Sequence, residues 1–284
     1  MPKVTTTGSL YRYAAFTTTP NGGNPAGVWI GDALPDPGEM LRIAAEVGYS
    51  ETAFVAPRAG EQRTVRYYSP LAEVSFCGHA TIAAGVVLGE TAGDGTYRLE
   101  TAVGTVPVTV AVRNGERQAS LTSVEPRHEL AADELVAAVL GTLGWSRGEL
   151  NPLIPPARAY AGAWHLVLAA ATPDRLERLD YDFDTLKALM EGDGLTTIQL
   201  VWQESADVFV SRNPFPVGGV VEDPATGAAA AALGGYLRAA KLVQPPARIV
   251  IRQGEAMGRP SHLVVDVPRS SGIVVTGAAV AIGA

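Results

Sequence analysis

The 284-residue chain is 47% hydrophobic and 18% charged, enough apolar sequence for a folded core, and this composition excludes general disorder. Its 22 basic and 29 acidic side chains give a formal net charge of −7, so a nucleic acid is a poor candidate partner. The one cysteine excludes an internal disulfide and a cysteine-rich metal site. Because the chain has no apolar run of roughly 20 residues and no signal-peptide pattern in residues 1–5, we expect a cytoplasmic protein without a membrane partner.

The first half of the chain is predicted to consist of strands with two helices among them. Strand patterns cover residues 10–16, 26–30, 52–56, 64–68 and 106–112. After the second of these strands, Asp36, Pro37 and Glu39 form a capping box with proline at the first helical position, and Gly48 ends the predicted helix. An uncharged segment of helical length follows at residues 77–88, and a helix is expected near residues 78–90.

The second half of the chain is also predicted to consist of strands with helices among them. Helices are predicted over residues 133–140 and 185–191, the second of them capped by Asp184. Another uncharged segment covers residues 226–237, and a helix is expected near residues 226–240. Strand patterns cover residues 165–169, 197–202, 208–211, 248–252, 262–267 and 273–275. Because strands and helices do not alternate strictly, we expect mixed, largely antiparallel sheets rather than a parallel βαβ design.

The two uncharged segments indicate the same arrangement in each half. Residues 78–88 and 227–237 are rich in Ala and Gly, and a helix that is apolar all round must be buried all round. Similar strands, residues 51–55 and 206–210, precede them, so the halves resemble copies of one unit. We therefore predict an α+β fold of two pseudo-symmetric domains, each a curled, mostly antiparallel, barrel-like sheet around a central buried helix. The alternative is that two Ala-rich helices resemble each other by composition alone.

The domain boundary is expected in a polar stretch after residue 122. The N-terminal domain then covers residues 1–122 with its central helix near 78–90, and a C-terminal strand at 272–284 is a candidate addition to it. The C-terminal domain covers residues 123–271 with its central helix near 226–240. At about 150 residues per domain, the length also favours two domains.

The motifs of the common cofactor sites are missing from the sequence. It has no Gly-x-x-x-x-Gly-Lys loop, no Gly-x-Gly-x-x-Gly that opens a helix after a strand, and no Gly-x-Ser-x-Gly elbow. Its four histidines lie far apart in the sequence, which disfavours a His-based metal site, and its few lysines are at positions expected to be exposed. We therefore predict chemistry without a cofactor or metal, carried out by carboxylates, histidine or a thiol.

The candidate site consists of polar residues near the starts of the two uncharged helices. A helix N-terminus has unpaired N–H groups and roughly half a positive charge, so Gly78 and Gly227 could hold a substrate carboxylate if the two helix ends meet in a cleft between the domains. Glu51 begins an apolar strand, where partial removal from water favours a general base. His79 and Asp223 are the other ionisable candidates. Singly, each also fits a structural role: a solvated strand end for Glu51, a core or capping residue for His79, and a turn residue for Asp223.

Five short motifs, in chain order, resemble the signature set of the PhzF family, the phenazine-biosynthesis isomerases and their relatives. They are Gly-Asn-Pro-Ala-Gly-Val at 23–28, Ser-Glu-Thr-Ala-Phe at 50–54, Cys-Gly-His-Ala-Thr at 77–81, Glu-Asp-Pro-Ala-Thr-Gly at 222–227 and Gly-Arg-Pro-Ser at 258–261. The matches extend over almost the whole chain. The resemblance implies a fold like that of diaminopimelate epimerase, in which each of two pseudo-symmetric domains has a helix inside a curled sheet.

The resemblance also implies roles for five residues and an assembly. The residue matching Glu51 is the acid/base of that family and moves a proton between carbons of a dihydro-hydroxyanthranilate ring without metal or organic cofactor. Residues matching His79 and Asp223 position the substrate or relay protons, while Gly78 and Gly227 match places where the start of a helix meets the ligand. A homodimer is implied as well.

Three departures from the family pattern bear on the chemistry. Ala228 stands where the family commonly has a ligand-contacting Ser, so the phenazine precursor itself is in question as the substrate. The first strand has Ala14-Ala15-Phe16 in place of Asp-x-Phe. The related epimerases use two cysteines, and this chain has only Cys77, which excludes racemisation by two thiols.

These observations leave three hypotheses about function. The leading one is a cofactor-independent isomerase that shifts a proton on a small carboxylate-bearing substrate by general acid/base catalysis in the cleft between the domains. The second is a racemase or epimerase in which Cys77 acts together with Glu51 or Asp223, because a thiol at a helix N-terminus is activated. The third is a protein with the same fold that binds small anions without catalysis.

Overall fold

The computed structural model describes residues 7–283 and divides into two compact units. Among the described residues, one contains 7–122 and 276–283, and the other contains 123–275. Residues 1–5, on which the prediction about a signal peptide depends, lie outside the described residues. Within the described part of the chain, each helix is too short or too polar to cross a membrane.

Strands and helices follow one another along residues 7–283 as two similar series. The strands are β1 Gly8–Ala15, β2 Asn24–Gly31, β3 Glu51–Pro57, β4 Gln62–Tyr68, β5 Glu73–Val74, β6 Gly95–Thr101, β7 Gly104–Arg113, β8 Glu116–Thr122, β9 Arg127–Leu130, β10 Ala157–Tyr160, β11 Trp164–Ala169, β12 Thr197–Gln203, β13 Val208–Phe215, β14 Val220–Asp223, β15 Ala247–Gln253, β16 Ser261–Val267 and β17 Val274–Ala281. The helices are α1 Pro37–Val47, α2 Gly78–Ala92, α3 Asp133–Thr142, α4 Pro173–Glu177, α5 Phe183–Gly192 and α6 Gly227–Ala239.

The first unit is a closed sheet around α2. Strand β1 pairs antiparallel with β17 and β2, β2 parallel with β3, β3 antiparallel with β4, and β4 parallel with β6. Antiparallel pairs of β6 with β7 and β7 with β8 follow, and the pairing of β8 with β17 closes the sheet. Helix α2 packs against β1, β2, β3, β7 and β8, so the sheet surrounds it.

Small side chains allow α2 to pass through the middle of this sheet. Every residue from His79 to Gly89 is buried. At Gly85 an added Cβ would lie 2.8 Å from the Cβ of Ala119 and 2.9 Å from Cγ1 of Val108, so a larger side chain would push the helix away from β7 and β8. The uncharged, Gly- and Ala-rich sequence is therefore explained by burial on all sides.

The second unit repeats the strand order of the first. Strand β10 pairs antiparallel with β9 and β11, β11 parallel with β12, β12 antiparallel with β13, β13 parallel with β15, and β15 antiparallel with β16. Helix α6 runs between β14 and β15, as α2 runs between β5 and β6, and packs against β9, β10, β11 and β16. The predicted α+β fold of two pseudo-symmetric sheets, each with a central helix, is confirmed.

One part of the predicted repeat is wrong. The predicted repeat matches residues 51–55 with residues 206–210. In the structure, β3 pairs parallel with β2 and antiparallel with β4, and β12 pairs in the same way with β11 and β13, so β12 is the counterpart of β3. Residues 208–210 belong to β13, the counterpart of β4. The first parallel pairs are Ala26 with Glu51 and His165 with Thr197, so the second unit has a threonine at the position of Glu51.

Helix ends agree with the predictions in one case and differ in another. Asp36 caps α1 by accepting the N–H of Glu39 at 2.9 Å, and Gly48 ends the helix in the left-handed conformation, as predicted. Asp182, rather than Asp184, caps α5 and accepts the N–H of Thr185 at 2.6 Å. The prediction of Asp184 as the cap is wrong because the helix starts two residues earlier than predicted, at residue 183.

A buried polar row lies on the face of β11–β13 opposite α3 and α5. His165 is fully buried, and its Nδ1 is 2.8 Å from Oγ1 of Thr197, which also accepts from Nδ2 of Asn213. Ser211 donates to Oδ1 of Asn213. Burial lowers the pKa of His165 to about 3, so its imidazole is neutral in the folded protein at ordinary pH.

The neutral state of His165 predicts a loss of stability in mild acid. Below its ordinary pKa of 6.5, the unfolded chain binds a proton at this imidazole that the folded protein does not bind until about pH 3. The free energy of unfolding should therefore fall with decreasing pH, by up to about 1.4 kcal/mol per pH unit from this group. Urea unfolding of the wild type and of His165→Gln between pH 8 and pH 5 measures the difference in slope. His262→Gln, at an exposed site on β16, is the control, and equal slopes for wild type and His165→Gln would contradict the prediction.

Candidate functional site

Three of the residues singled out in the sequence lie together in the first unit. Oε2 of Glu51 is 3.4 Å from Nε2 of His79, and the thiol of Cys77 donates to the same Oε2 at 3.5 Å. The Cys77 Sγ is also 3.3 Å from Nδ1 of His79. The side chain of His79 is 7% exposed and that of Glu51 is 17% exposed, so the cluster is largely shielded but still reached by solvent.

Strand β3 places Glu51 at its first position, next to β2. Glu51 lies opposite Ala26 in the parallel pair, and Thr52 lies opposite Gly27. A Cβ at Gly27 would lie 2.4 Å from Oγ1 of Thr52, so only glycine allows the two strands to approach at this point. The motif at residues 23–28 therefore has a structural role, which is to hold β3 and its first residue in place.

The start of α2 provides the other two side chains. Cys77 is the N-cap residue, Gly78 is the first helical residue and His79 is the second. The first turn of a helix presents backbone N–H groups and the positive end of the helix dipole. Carboxylate, imidazole, thiol and helix N-terminus therefore face the same small region of the first unit.

A buried hydrogen-bond chain that the sequence did not reveal fixes this turn. Oγ1 of Thr81 donates to the carbonyl of Cys77 at 2.6 Å and lies 2.7 Å from the hydroxyl of Tyr67. Because the one hydroxyl proton of Thr81 is used by Cys77, Tyr67 is the donor to Thr81. Burial raises the pKa of Tyr67, which keeps its hydroxyl protonated for this role. The aromatic ring of Phe76 packs edge-on against Tyr67, with the centroids 5.7 Å apart.

The second unit brings Asp223 and Gly227 together at the start of α6. Asp223 ends β14, and Thr226 is the N-cap residue that precedes Gly227. Oγ1 of Thr226 donates to Oδ2 of Asp223 at 2.6 Å, which holds the carboxylate next to the helix start. Ala228 occupies the second helical position, where α2 has His79, so this helix start has a carboxylate but no imidazole.

Gln253 is a further residue of this site that sequence reasoning missed. It is buried at the end of β15, and its Nε2 donates to the carbonyl of Asp223 at 2.7 Å and to Oγ1 of Thr226 at 3.0 Å. Its Oε1 accepts the N–H of Thr226 at 3.1 Å. One amide side chain thus fixes the whole turn from Asp223 to the N-cap. A lone glutamine at a strand end gives no local signal of such a contact.

Neighbouring motif residues support the same turn. Arg212 donates to both carboxylate oxygens of Glu222, at 3.0 and 2.6 Å, and to the carbonyl of Glu177. Glu222 is therefore neutralised by a buried ion pair, and Asp223 is the carboxylate of this motif at the helix start. The N–H of Arg259 donates to the carbonyl of Gly254 at 3.0 Å, which ties the motif at residues 258–261 to the residue after Gln253.

A pocket of about 560 Å³ lies within the second unit. Its lining includes Trp202, Arg212, Arg252 and Gln253, and consists of residues other than the five predicted site residues. Both arginines bind carboxylates, since Arg252 donates to Glu204 and Glu255 while Arg212 donates to Glu222. The pocket borders the candidate site of the second unit through Gln253, and through Arg212, which binds Glu222.

Gln253→Ala should loosen the turn between β14 and α6. Removing the amide leaves the Asp223 carbonyl and the Thr226 N–H without this buried partner, and a loss of about 1–3 kcal/mol in the free energy of unfolding is expected. Hydrogen exchange at the Thr226 amide should also accelerate, because Oε1 of Gln253 accepts it. Gln244→Ala, at an exposed position of the same unit, is the matched control. Unchanged stability and exchange in Gln253→Ala would contradict this role.

Comparisons with known proteins match nearly the whole chain. The family model PhzC-PhzF, "Phenazine biosynthesis-like protein", matches residues 13–284. An uncharacterized isomerase of Deinococcus radiodurans is 34% identical over 92% of this chain and 88% of its own length. The trans-2,3-dihydro-3-hydroxyanthranilate isomerase of Pseudomonas fluorescens is 31% identical over 87% of this chain and 86% of its own length. The crystal structure of a PhzF-family phenazine biosynthesis protein from Bacillus anthracis superposes with a TM-score of 0.83 at 25% identity, covering 96% of both chains. The relatives support an isomerase.

Proposed function

The chain belongs to the PhzC-PhzF family of phenazine biosynthesis-like proteins, and from that premise we propose that it is a cofactor-independent isomerase. It shifts a proton on a small carboxylate-bearing substrate by general acid/base catalysis. The observation that carries this proposal is the contact between the Glu51 carboxylate and the His79 imidazole, 3.4 Å apart at the start of α2. Proton transfer between carbons needs a group that can accept a proton and return it, and this pair has that chemistry.

Each residue has a proposed part in the reaction. Glu51 removes a proton from a carbon next to a conjugating group and returns it to another carbon. His79 positions the substrate or relays the proton, because its ring contacts the carboxylate that carries it. The N–H groups around Gly78 at the start of α2 stabilise negative charge on the substrate as the proton leaves.

Residues of the second unit complete the proposal. Asp223, held by Thr226 and Gln253, is in a fixed position suited to binding or relaying a proton. Gly227 offers the helix-start N–H groups of α6 to a carboxylate. Ala228 lacks the hydroxyl that the family commonly places there, so we propose a substrate class of small carboxylates rather than the phenazine precursor alone. A cytoplasmic homodimer is also proposed, from the composition and the family resemblance.

Glu51→Gln tests the general base. The amide keeps the size of the side chain but cannot accept the substrate proton, so exchange should fall by about 10²–10⁴-fold. The measurement is incorporation of solvent deuterium, followed by NMR, into small carboxylates beginning with trans-2,3-dihydro-3-hydroxyanthranilate, on which the Pseudomonas relative is named to act. Glu116→Gln, at an exposed position of the same unit, should exchange at the wild-type rate. Wild-type exchange in Glu51→Gln would show that another group is the base.

A second candidate function is favoured by the position of Cys77. Its Sγ lies 3.5 Å from Oε2 of Glu51 and 3.3 Å from Nδ1 of His79, so a second group that can transfer a proton lies beside the proposed base. An epimerase of this kind would invert a stereocentre next to a carboxylate. The isomerase proposal assigns no proton transfer to the thiol.

Cys77→Ala distinguishes the two functions. The isomerase proposal predicts deuterium exchange in this variant within about tenfold of the wild type, because the thiol carries no proton in that reaction and the base, Glu51, remains. The epimerase alternative predicts a loss comparable to that of Glu51→Gln. A chiral assay of the recovered carboxylate detects inversion directly, and inversion abolished by Cys77→Ala would favour the epimerase.

A further inference from the structure

We propose that Glu51, Cys77 and His79 bind a thiophilic divalent metal ion, above all Zn²⁺, and that the bound ion inhibits the enzyme. Each side chain offers one ligand atom, and these atoms lie within 4.8 Å of one another. The binding site stands on this geometry alone. The inhibition rests on the proposed function, because the ion would occupy the carboxylate and imidazole that move the proton.

The distances between the donor atoms fit one face of a zinc tetrahedron. Cys77 Sγ and Glu51 Oε2 are 3.5 Å apart, Glu51 Oε2 and His79 Nε2 are 3.4 Å apart, and Cys77 Sγ and His79 Nε2 are 3.9 Å apart. Zinc binds sulfur at about 2.3 Å and nitrogen or oxygen at about 2.0–2.2 Å, so two ligands at a tetrahedral angle are about 3.3–3.6 Å apart. A metal ion can therefore reach all three atoms with small side-chain adjustments.

The chemistry of the donors selects the metal. One thiolate, one imidazole and one carboxylate suit Zn²⁺ and its neighbours among the transition metals, whereas Mg²⁺ and Ca²⁺ prefer oxygen ligands. The Cys77 thiol releases its proton to solvent as the sulfur–metal bond forms. The charges of thiolate and carboxylate then balance the charge of the ion. With three protein ligands, and with the Glu51 side chain partly exposed, solvent can supply the fourth ligand.

The surrounding structure holds the ligands in place before the metal arrives. Glu51 is fixed by the parallel pairing of β3 with β2, and Cys77 and His79 by the first turn of α2. The hydrogen bond from Thr81 to the Cys77 carbonyl anchors this turn, and Ser50 Oγ lies 3.4 Å from Nε2 of His79. A preorganised set of ligands needs little rearrangement to bind an ion.

The site is not visible as a sequence motif because its ligands come from separate elements. Glu51 precedes Cys77 by 26 positions and lies on a strand, and only Cys77 and His79 are close in the chain. The usual zinc patterns pair ligands within one helix or one loop. The sequence therefore predicted no metal, and the packing of β3 beside α2 creates the cluster.

Cobalt(II) titration of the purified full-length chain tests the site. Binding of Co²⁺ by one thiolate should produce a near-ultraviolet charge-transfer band at one ion per chain, and Zn²⁺ should abolish it by displacement. His79→Gln and Glu51→Gln should each weaken Co²⁺ binding by about 100-fold, since even the loss of an outer partner costs about 10–100-fold. His262→Gln, an exposed histidine on β16, should leave the titration unchanged. The absence of the band in the wild type, or unweakened binding in His79→Gln, would overturn the proposal.

A second measurement needs no variant and so does not depend on how variants fold. Zn²⁺ should slow the alkylation of Cys77 by iodoacetamide in the wild type by about tenfold or more, because a coordinated sulfur is a weaker nucleophile. Mg²⁺ at the same concentration should have no effect. Equal alkylation rates with and without Zn²⁺ would overturn the site.

Inhibition is tested in the deuterium-exchange assay, separately from binding. Zn²⁺ that saturates the site should suppress exchange, and a chelator should restore it. If exchange continues while the titration shows the metal bound, the inhibitory part of the proposal is wrong. If the wild type binds metal but exchanges no carboxylate tested, the metal site is supported and the proposed isomerase function is contradicted instead.

Discussion

The candidate site of the first unit depends on the contact between the first residue of β3 and the first turn of α2. Glu51 reaches His79 and Cys77 because β3 runs parallel to β2, beside a helix that is small enough to pass through the sheet. A larger residue in α2 or at Gly27 would separate these elements and with them the carboxylate and the imidazole. The passage of α2 through the sheet beside β3 thus explains both the Gly- and Ala-rich composition of the helix and the contact between Glu51 and His79.

The two units use the same architecture for different chemistry. At the start of α2, the first unit presents Cys77 and His79, with Glu51 on the neighbouring strand. The second unit has Thr226 and Ala228 at the corresponding helix positions and Thr197 at the position of Glu51. Its carboxylate, Asp223, comes instead from the turn before α6 and is held by Gln253. The repeat supplies two helix N-termini, while most of the ionisable candidate residues, Glu51, Cys77 and His79, belong to the first unit.

Much of the fold, and less of the site, can be predicted from the sequence. Uncharged Ala-rich segments identify α2 and α6 because burial on all sides demands that composition, and Asp36 and Gly48 set the ends of α1. Strands such as β6 and β8 escape prediction because small, polar and charged residues on their outer faces interrupt the hydrophobic pattern. Tyr67 and Gln253 escape because each acts on a turn distant in sequence. The motifs identify the family and suggest site residues, but the distances among Glu51, Cys77 and His79 arise only from packing.

The measurement that tests the central contact most directly is the NMR spectrum of the His79 ring nitrogens. A carboxylate 3.4 Å from Nε2 perturbs the ring, so replacing Glu51 by glutamine should shift the ¹⁵N resonances of His79, while Glu116→Gln leaves them in place. His79 resonances that are the same in the wild type and in Glu51→Gln would show that the carboxylate and imidazole are not in contact, and would contradict the account.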